Sequence, residues 1–311
     1  MEGDHAQGSL PVLRHRDPAG RHPLPALHQP TLTPVSAVLV HPPGAAFGRA
    51  FENPAHGFRH PVDLLVAQRE HEAYCNLLIR LGVDVHVLEV ETDDPDLVYT
   101  FDPLLLTDTG AIPLRPGKPN RAGEPALVEA WLTARGVRVV GRIEAPGTIE
   151  GGDVAWLRSD VAVIGRSLRT NDAGASQLAA LLAALLNAQV RVVDLPYWRG
   201  PAELVHLLSV ISPIADDLAV VYPPLLPAGL HELLTDLAIR TIPVPDDEFE
   251  TLGCNVLAVR AGVVVVAEGN PVTRQLLEAA GCEVHAYPAT EIGLNGSGGP
   301  TCLALPIPGS P

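Results

Sequence analysis

The stretch 255–287 constrains this chain more than any other. Two apolar runs rich in β-branched residues, 255–259 and 262–267, meet at Ala261-Gly262, a junction that reads as a hairpin turn. Helical spacing follows over 271–281 and a third strand over 283–287. A hairpin, a helix and a returning strand make one ββαβ unit. Similar alternations recur upstream. Strands are expected at 37–40, 83–88, 97–101, 104–106, 137–140, 161–164, 190–194, 218–222 and 240–244, and helices over 61–81, 124–134, 172–187, 201–210 and 225–238. Such a unit needs roughly thirty residues or more, and about five of them fit the patterned length. The fold class is therefore α/β. No linker divides the patterned part, and one domain is expected over 34–311, preceded by a Pro/His-rich tail, 1–33, expected to be disordered.

The net charge of −15 disfavours a nucleic-acid or anionic-membrane surface and would attract a small cation. Cys75, Cys254, Cys282 and Cys302 are scattered with no C-x-x-C pair, which fits neither a zinc site nor a disulfide framework and suits a reducing compartment. No signal peptide and no membrane-spanning run is read, and a cytoplasmic location is expected. His71, Glu72 and His86 lack a third ligand at a fitting spacing and read as a solvated helix face.

Polar residues interrupt the apolar strands at four places. Asp102 ends the run Asp96-Leu97-Val98-Tyr99-Thr100-Phe101-Asp102, and an unbroken strand there would put Asp96 and Asp102 on one face. Glu150-Gly151-Gly152-Asp153 sets two acids around a tight turn. Arg169 precedes Thr170-Asn171-Asp172 at a helix start, where its planar fork and the free N–H groups suit a carboxylate; Arg121, on a Pro/Gly loop, is a second basic candidate. His206 stands among aliphatic residues. A fifth feature, Gly296-Ser297-Gly298-Gly299-Pro300-Thr301-Cys302, brings a flexible loop to a lone cysteine expected to open the last strand. A thiol, an imidazole and an orienting carboxylate are the parts of a nucleophilic cysteine device.

These motifs, in this order over residues 36–308, resemble the guanidine-modifying penteins, which include arginine deiminases, dimethylarginine dimethylaminohydrolases, agmatine deiminases and amidinotransferases. The resemblance implies a five-bladed α/β propeller of ββαβ units. It also implies that Cys302 attacks a guanidinium carbon, that His206 serves as acid and base, and that Glu150 orients His206. Asp102 would then hold the guanidinium, Arg121 and Arg169 the α-carboxylate, and Asp96 would lie near the α-amino group. No cofactor and no metal is implied. The implied partner is a small cationic guanidino compound, neither nucleic acid nor membrane, with a homodimer left open.

Three positions depart from the relatives, one of them Ser297, where deiminases carry an arginine five residues before the cysteine. Deiminases and glycine amidinotransferases carry His-x-Asp where this chain has His206-Leu207-Leu208, and dimethylarginine hydrolases place an acid where this chain has Phe101. With one acid lost and an apolar residue gained, the pocket is expected to favour a methylated guanidine. The expected reaction is hydrolysis of arginine or Nω-methylated arginine to citrulline through a thiouronium intermediate. Amidino transfer, deimination and non-catalytic binding are the alternatives, the last disfavoured by the Cys/His pair.

Overall fold

Val263–Ala267 is buried along its whole length, which is why it reads as an unbroken apolar run and not as an alternating one. Its counterparts in the other sheets are nearly as fully buried, whereas the strands that return beside them are largely exposed. The computed structural model describes residues 33–200 and 205–308, and in them the ββαβ alternation repeats around a ring.

β1 (Ala37–Val40) is followed by the helix Leu64–Arg80 and by β2 (Asp84–Val87), parallel to β1. β3 (Leu104–Thr107) and β4 (Gly110–Pro113) form a hairpin, and after the helix Glu124–Thr133 the chain returns only as a parallel bridge from Val139 to Ala111. The third unit is β5 (Val154–Arg158), β6 (Val161–Arg166), the helix Asp172–Leu186 and β7 (Gln189–Asp194). The fourth is β8 (Ile211–Ala215), β9 (Leu218–Val221), the helix Ala228–Asp236 and β10 (Arg240–Pro243). The fifth is β11 (Leu257–Arg260), β12 (Val263–Ala267), the helix Pro271–Ala279 and β13 (Glu283–Tyr287). In the last three units the first strand pair is antiparallel and the second parallel. The first unit is completed by β14 (Leu305–Ile307), which returns antiparallel to β1 with Ala37 opposite Ile307. The fold is a five-bladed α/β propeller. First strands lie side by side around its axis, β14 beside β3, β5 beside β8 and β8 beside β11.

Several expected elements differ. Residues 97–101 are not a strand. Pro95 opens a 3₁₀ turn, Pro95–Val98, whose Asp96 N–H donates to the side chain of Asp94 at 3.0 Å, so Asp96 and Asp102 do not share a strand face. Of 137–140 only the Val139 bridge remains. Of the expected helix 201–210, residues 201–204 lie outside the described residues; His206 is extended (φ −79°, ψ 164°) and a single turn, Leu207–Val210, follows it. Cys302 sits in a turn three residues before β14 instead of opening that strand. The expected tail also lies outside the described residues, apart from Thr33. Among the described residues no helix is long and apolar enough to cross a membrane.

Candidate active site

Each first strand of the ring is preceded by a short polar segment: Asp102 before β3, Glu150–Asp153 before β5, His206 before β8, Asn255 before β11 and Cys302 before β14. Internal repetition therefore carries five segments that are far apart in sequence to equivalent places. Hydrogen bonds join them there.

Asp102 is the hub of one side. Its carbonyl accepts from Gly151 N at 2.9 Å and its Oδ1 from Gly152 N at 2.8 Å, while the neighbouring Phe101 N donates to the carbonyl of Cys302 at 3.2 Å. Glu150, completely buried, accepts from His206 Nε2 at 2.8 Å through Oε2. Since a carboxylate only accepts, Nε2 carries a proton, and Nδ1 makes no hydrogen bond among the described residues. Gly152 is required here. A β-carbon on it would lie 2.6 Å from His206 Nδ1 and 3.0 Å from Asp102 Oδ1. Asp153 anchors the same corner from below, accepting from Leu207 N at 3.0 Å and Thr170 Oγ1 at 2.6 Å.

Cys302 is partly buried in a turn closed by its own N–H to Gly299 O at 3.0 Å. Two residues, one on the helix of the first unit and one in the segment that follows that unit, fix that turn. Tyr74 Oη donates to Pro300 O at 2.7 Å, and Thr100 Oγ1 to Leu303 O at 3.2 Å. Upstream, Glu70 receives the N–H groups of Thr290, Glu291 and Ile292 at 2.7, 2.8 and 3.0 Å, capping the π-helical turn Thr290–Asn295 that leads into the loop.

The electrostatics separate the groups. Burial opposes ionisation of Glu150, but the His206 hydrogen bond and the Arg169 charge outweigh it and hold its carboxyl well below the usual range. For Asp102, burial is overcome by Arg121 and His206, again lowering the pKa. Burial would discharge His206, yet the charges of Asp102 and Asp153 keep its pKa above the ordinary value. Burial pushes Asp153 up to about 6 and the Cys302 thiol up to about 11, the latter helped by the charge of Asp102. The resting cluster thus pairs a neutral thiol with a readily protonated imidazole.

Of the remaining expected residues, Arg169 donates Nε and Nη2 to Glu150 and is half-buried. Arg121 is 2% exposed and engages all three nitrogens, with Asp102 Oδ2 at 2.6 Å, Glu124 at 2.7 and 2.8 Å, and the carbonyls of Asp96 and Tyr99. Asp96 Oδ2 is held by Lys118 Nζ at 2.6 Å and by Asn120 Nδ2 at 3.2 Å. Phe101 packs its ring against the apolar cluster that contains Leu208. Lys118, Glu124 and Asn255 were not expected from the sequence. Lys118 and Glu124 flank Arg121, and the hydrophobic pattern carries no sign of which loop charges are inward. One atom each from Asp102, Glu150 and His206 lies within 4.8 Å of the others, a spacing that a metal ion could bridge. Both carboxylates, however, already carry arginine bonds, so the set is charge-compensated and suited to proton chemistry.

Residues 58–308 match the family described as N,N dimethylarginine dimethylhydrolase, eukaryotic. The chain belongs to this family. An N(G),N(G)-dimethylarginine dimethylaminohydrolase of Pseudomonas aeruginosa is 30% identical over 246 residues, 78% of this chain and 89% of that protein. A dimethylarginine dimethylaminohydrolase structure from the same species, a cysteine-to-serine variant complexed with citrulline, superimposes with a TM-score of 0.74 at 26% identity, covering 87% of this chain and 98% of the other. An arginine deiminase of Rhodococcus erythropolis is 32% identical over 194 residues, 52% of this chain and 47% of that protein. The dimethylarginine hydrolase family and its deiminase relatives make this chain an amidine hydrolase.

Proposed function

We propose that the chain is a single-domain hydrolase that converts Nω-methylated arginine to citrulline and a methylated amine, with Cys302 as nucleophile. The observation that carries the reading is the Glu150–His206 pair, at 2.8 Å, joined through Asp102 and Phe101 to the Cys302 turn. Binding of a cation beside Asp102 and the thiol lowers the cost of forming the thiolate, which burial otherwise opposes. The thiolate attacks the guanidinium carbon. The C–N bond to the methylated nitrogen breaks and His206 supplies the proton through Nδ1, releasing the amine and leaving a thiouronium. Water then gives a proton to His206 and adds to the same carbon. The C–S bond breaks, and citrulline departs from the restored thiolate. Glu150 keeps the ring oriented and its positive form stable.

The substrate's carboxylate is assigned to Arg169, the half-buried arginine, and its ammonium to the neighbourhood of Asp96. Arg121 holds Asp102 in place. Preference for methyl groups is assigned to Phe101 and Leu208, which stand where relatives carry acids and belong to one apolar cluster. Incubation with Nω,Nω-dimethylarginine should yield equal amounts of citrulline and dimethylamine. Formation of a new guanidino compound from an added amine, with no citrulline, would replace this reading with amidino transfer.

A further inference from the structure

Four of the five segments that precede first strands supply Asp102, Glu150, His206 and Cys302; the fifth supplies Asn255, which is 5% exposed. Its Oδ1 accepts from both Thr301 N and Thr301 Oγ1 at 3.0 Å. A backbone N–H can only donate, so the amide's orientation is settled, and Nδ2 faces the other way. There it lies 3.5 Å from the carbonyl of Leu208 and 3.8 Å from Cys302 Sγ. The turn wraps closely around this amide. A β-carbon on Gly299 would come within 2.3 Å of Asn255 Cγ.

We infer that Asn255 is a positioning residue for the nucleophile, seating the Thr301–Cys302 turn with its carbonyl and offering an N–H to the sulfur as the thiolate forms. This rests on Cys302 being the nucleophile. Besides His206, the acid and base of the proposed reaction, the groups coupled electrostatically to the sulfur include Asp102, Arg121 and the phenols of Tyr74, Tyr99 and Tyr287. Asp102 opposes negative charge there, Arg121 favours it but is already bonded to Asp102 and Glu124, and the phenols add none that stabilises it. A neutral donor at Asn255 supports the thiolate without competing for the substrate's cation.

The two roles of the amide separate by substitution. Asn255→Asp keeps an acceptor for Thr301 but sets an oxygen against the sulfur, while Asn255→Ala removes both contacts. The test is the pH dependence of Cys302 alkylation by iodoacetamide, read on its peptide by mass spectrometry, beside kcat/KM for Nω,Nω-dimethylarginine. Asn255→Asp is expected to move the alkylation midpoint up by about one unit or more and Asn255→Ala by less, with kcat/KM falling about tenfold or more in both. Tyr74→Phe, which removes a different bond to the turn, should leave the midpoint in place, and it provides the comparison with Asn255→Ala if Asn255→Asp does not fold. An Asn255→Asp profile that overlays the wild type, or an equal shift in Tyr74→Phe and Asn255→Ala, overturns the inference. Full activity of Cys302→Ser would instead remove the reading beneath it.

Discussion

Arg169 lies across Glu150, its Nε 2.9 Å from each carboxylate oxygen and its Nη2 on Oε2, the oxygen that also receives His206. The site's own guanidinium therefore pairs with the carboxylate that steers the imidazole. Removing Arg169 has two effects, loss of a cation for the substrate's carboxylate and loss of a charge that keeps Glu150 ionised. Arg169→Ala should raise KM for methylated arginine by a factor equivalent to about 1.5–3 kcal/mol, and agmatine, which has no carboxylate, should show a much smaller change. Agmatine turnover matching that of methylated arginine in the wild type would refute the assignment.

Cys302→Ser should abolish turnover and leave the melting temperature close to wild type, because the polar contacts of the thiol among the described residues are long, 3.8 Å to Asn255 Nδ2 and 3.9 Å to Thr301 Oγ1. Wild-type enzyme quenched during turnover should carry a covalent substrate-derived mass on the peptide containing Cys302. That mass must be missing from the serine variant.

Two groups set opposite pH limits on activity. The reactive form has one proton shared between His206 and Cys302, so kcat/KM should rise through the His206 value, above 6.5, and fall towards about 11. Stability follows different signs. Asp102 and Glu150 are held below their unfolded values, so what they contribute is complete above about pH 4–5 and is lost as pH falls through their folded values. His206 is raised, so its contribution is present below about pH 6.5 and is lost as pH rises through its folded value. Thermal melts across pH should show Glu150→Gln flattening the acid limb. An unchanged acid limb would mean that Glu150 is not held low.

Leu208→Asp should shift the ratio of kcat/KM values from methylated arginine towards arginine. Bare N–H groups left unpaired cost about 1–3 kcal/mol each, whereas a buried methyl gains about 0.8 kcal/mol. Leu208 is 7% exposed, so the variant will also be less stable. Only the ratio is diagnostic. A wild type that prefers arginine tenfold, or a variant with the same ratio, contradicts the pocket proposed.

Glu124→Gln should destabilise the fold by about 1–3 kcal/mol, since it takes one of two acceptors from the buried Arg121 and sets an amide N–H against it; burial pushes the Glu124 carboxyl up to about 8, so the loss is mainly one of hydrogen bonding. Denaturant unfolding measures this directly. A loss below about 1 kcal/mol would show that Asp102 alone satisfies Arg121.

The repeat was legible because its middle strands are buried on both faces, so Val263–Ala267 and Val161–Arg166 stand out as apolar runs. The motif residues were legible because charge between such runs has few structural uses. The local geometry was not. Leu97, Val98 and Tyr99 have strand composition, yet Pro95 and the Asp94 cap turn them into a 3₁₀ segment. Which arginine faces solvent depends on partners distant in sequence: Arg121 on Asp102 and Glu124, Arg169 on Glu150. Asn255 follows a cysteine in a run that passes for strand, and only its place ahead of β11, matching His206 ahead of β8, sets it apart.

The pairing of β14 with β1 has a consequence for how the molecule comes into being. A ribosome makes β1 before the other blades and β14 after them, and Cys302 stands three residues before the strand that fastens the ring. A nascent chain can shape its middle blades from local contacts, but it has no seated thiol until β14 reaches β1. A reactive cysteine is thus not assembled on an unfinished protein, and clipping the last strand should silence the chemistry while most of the blades remain.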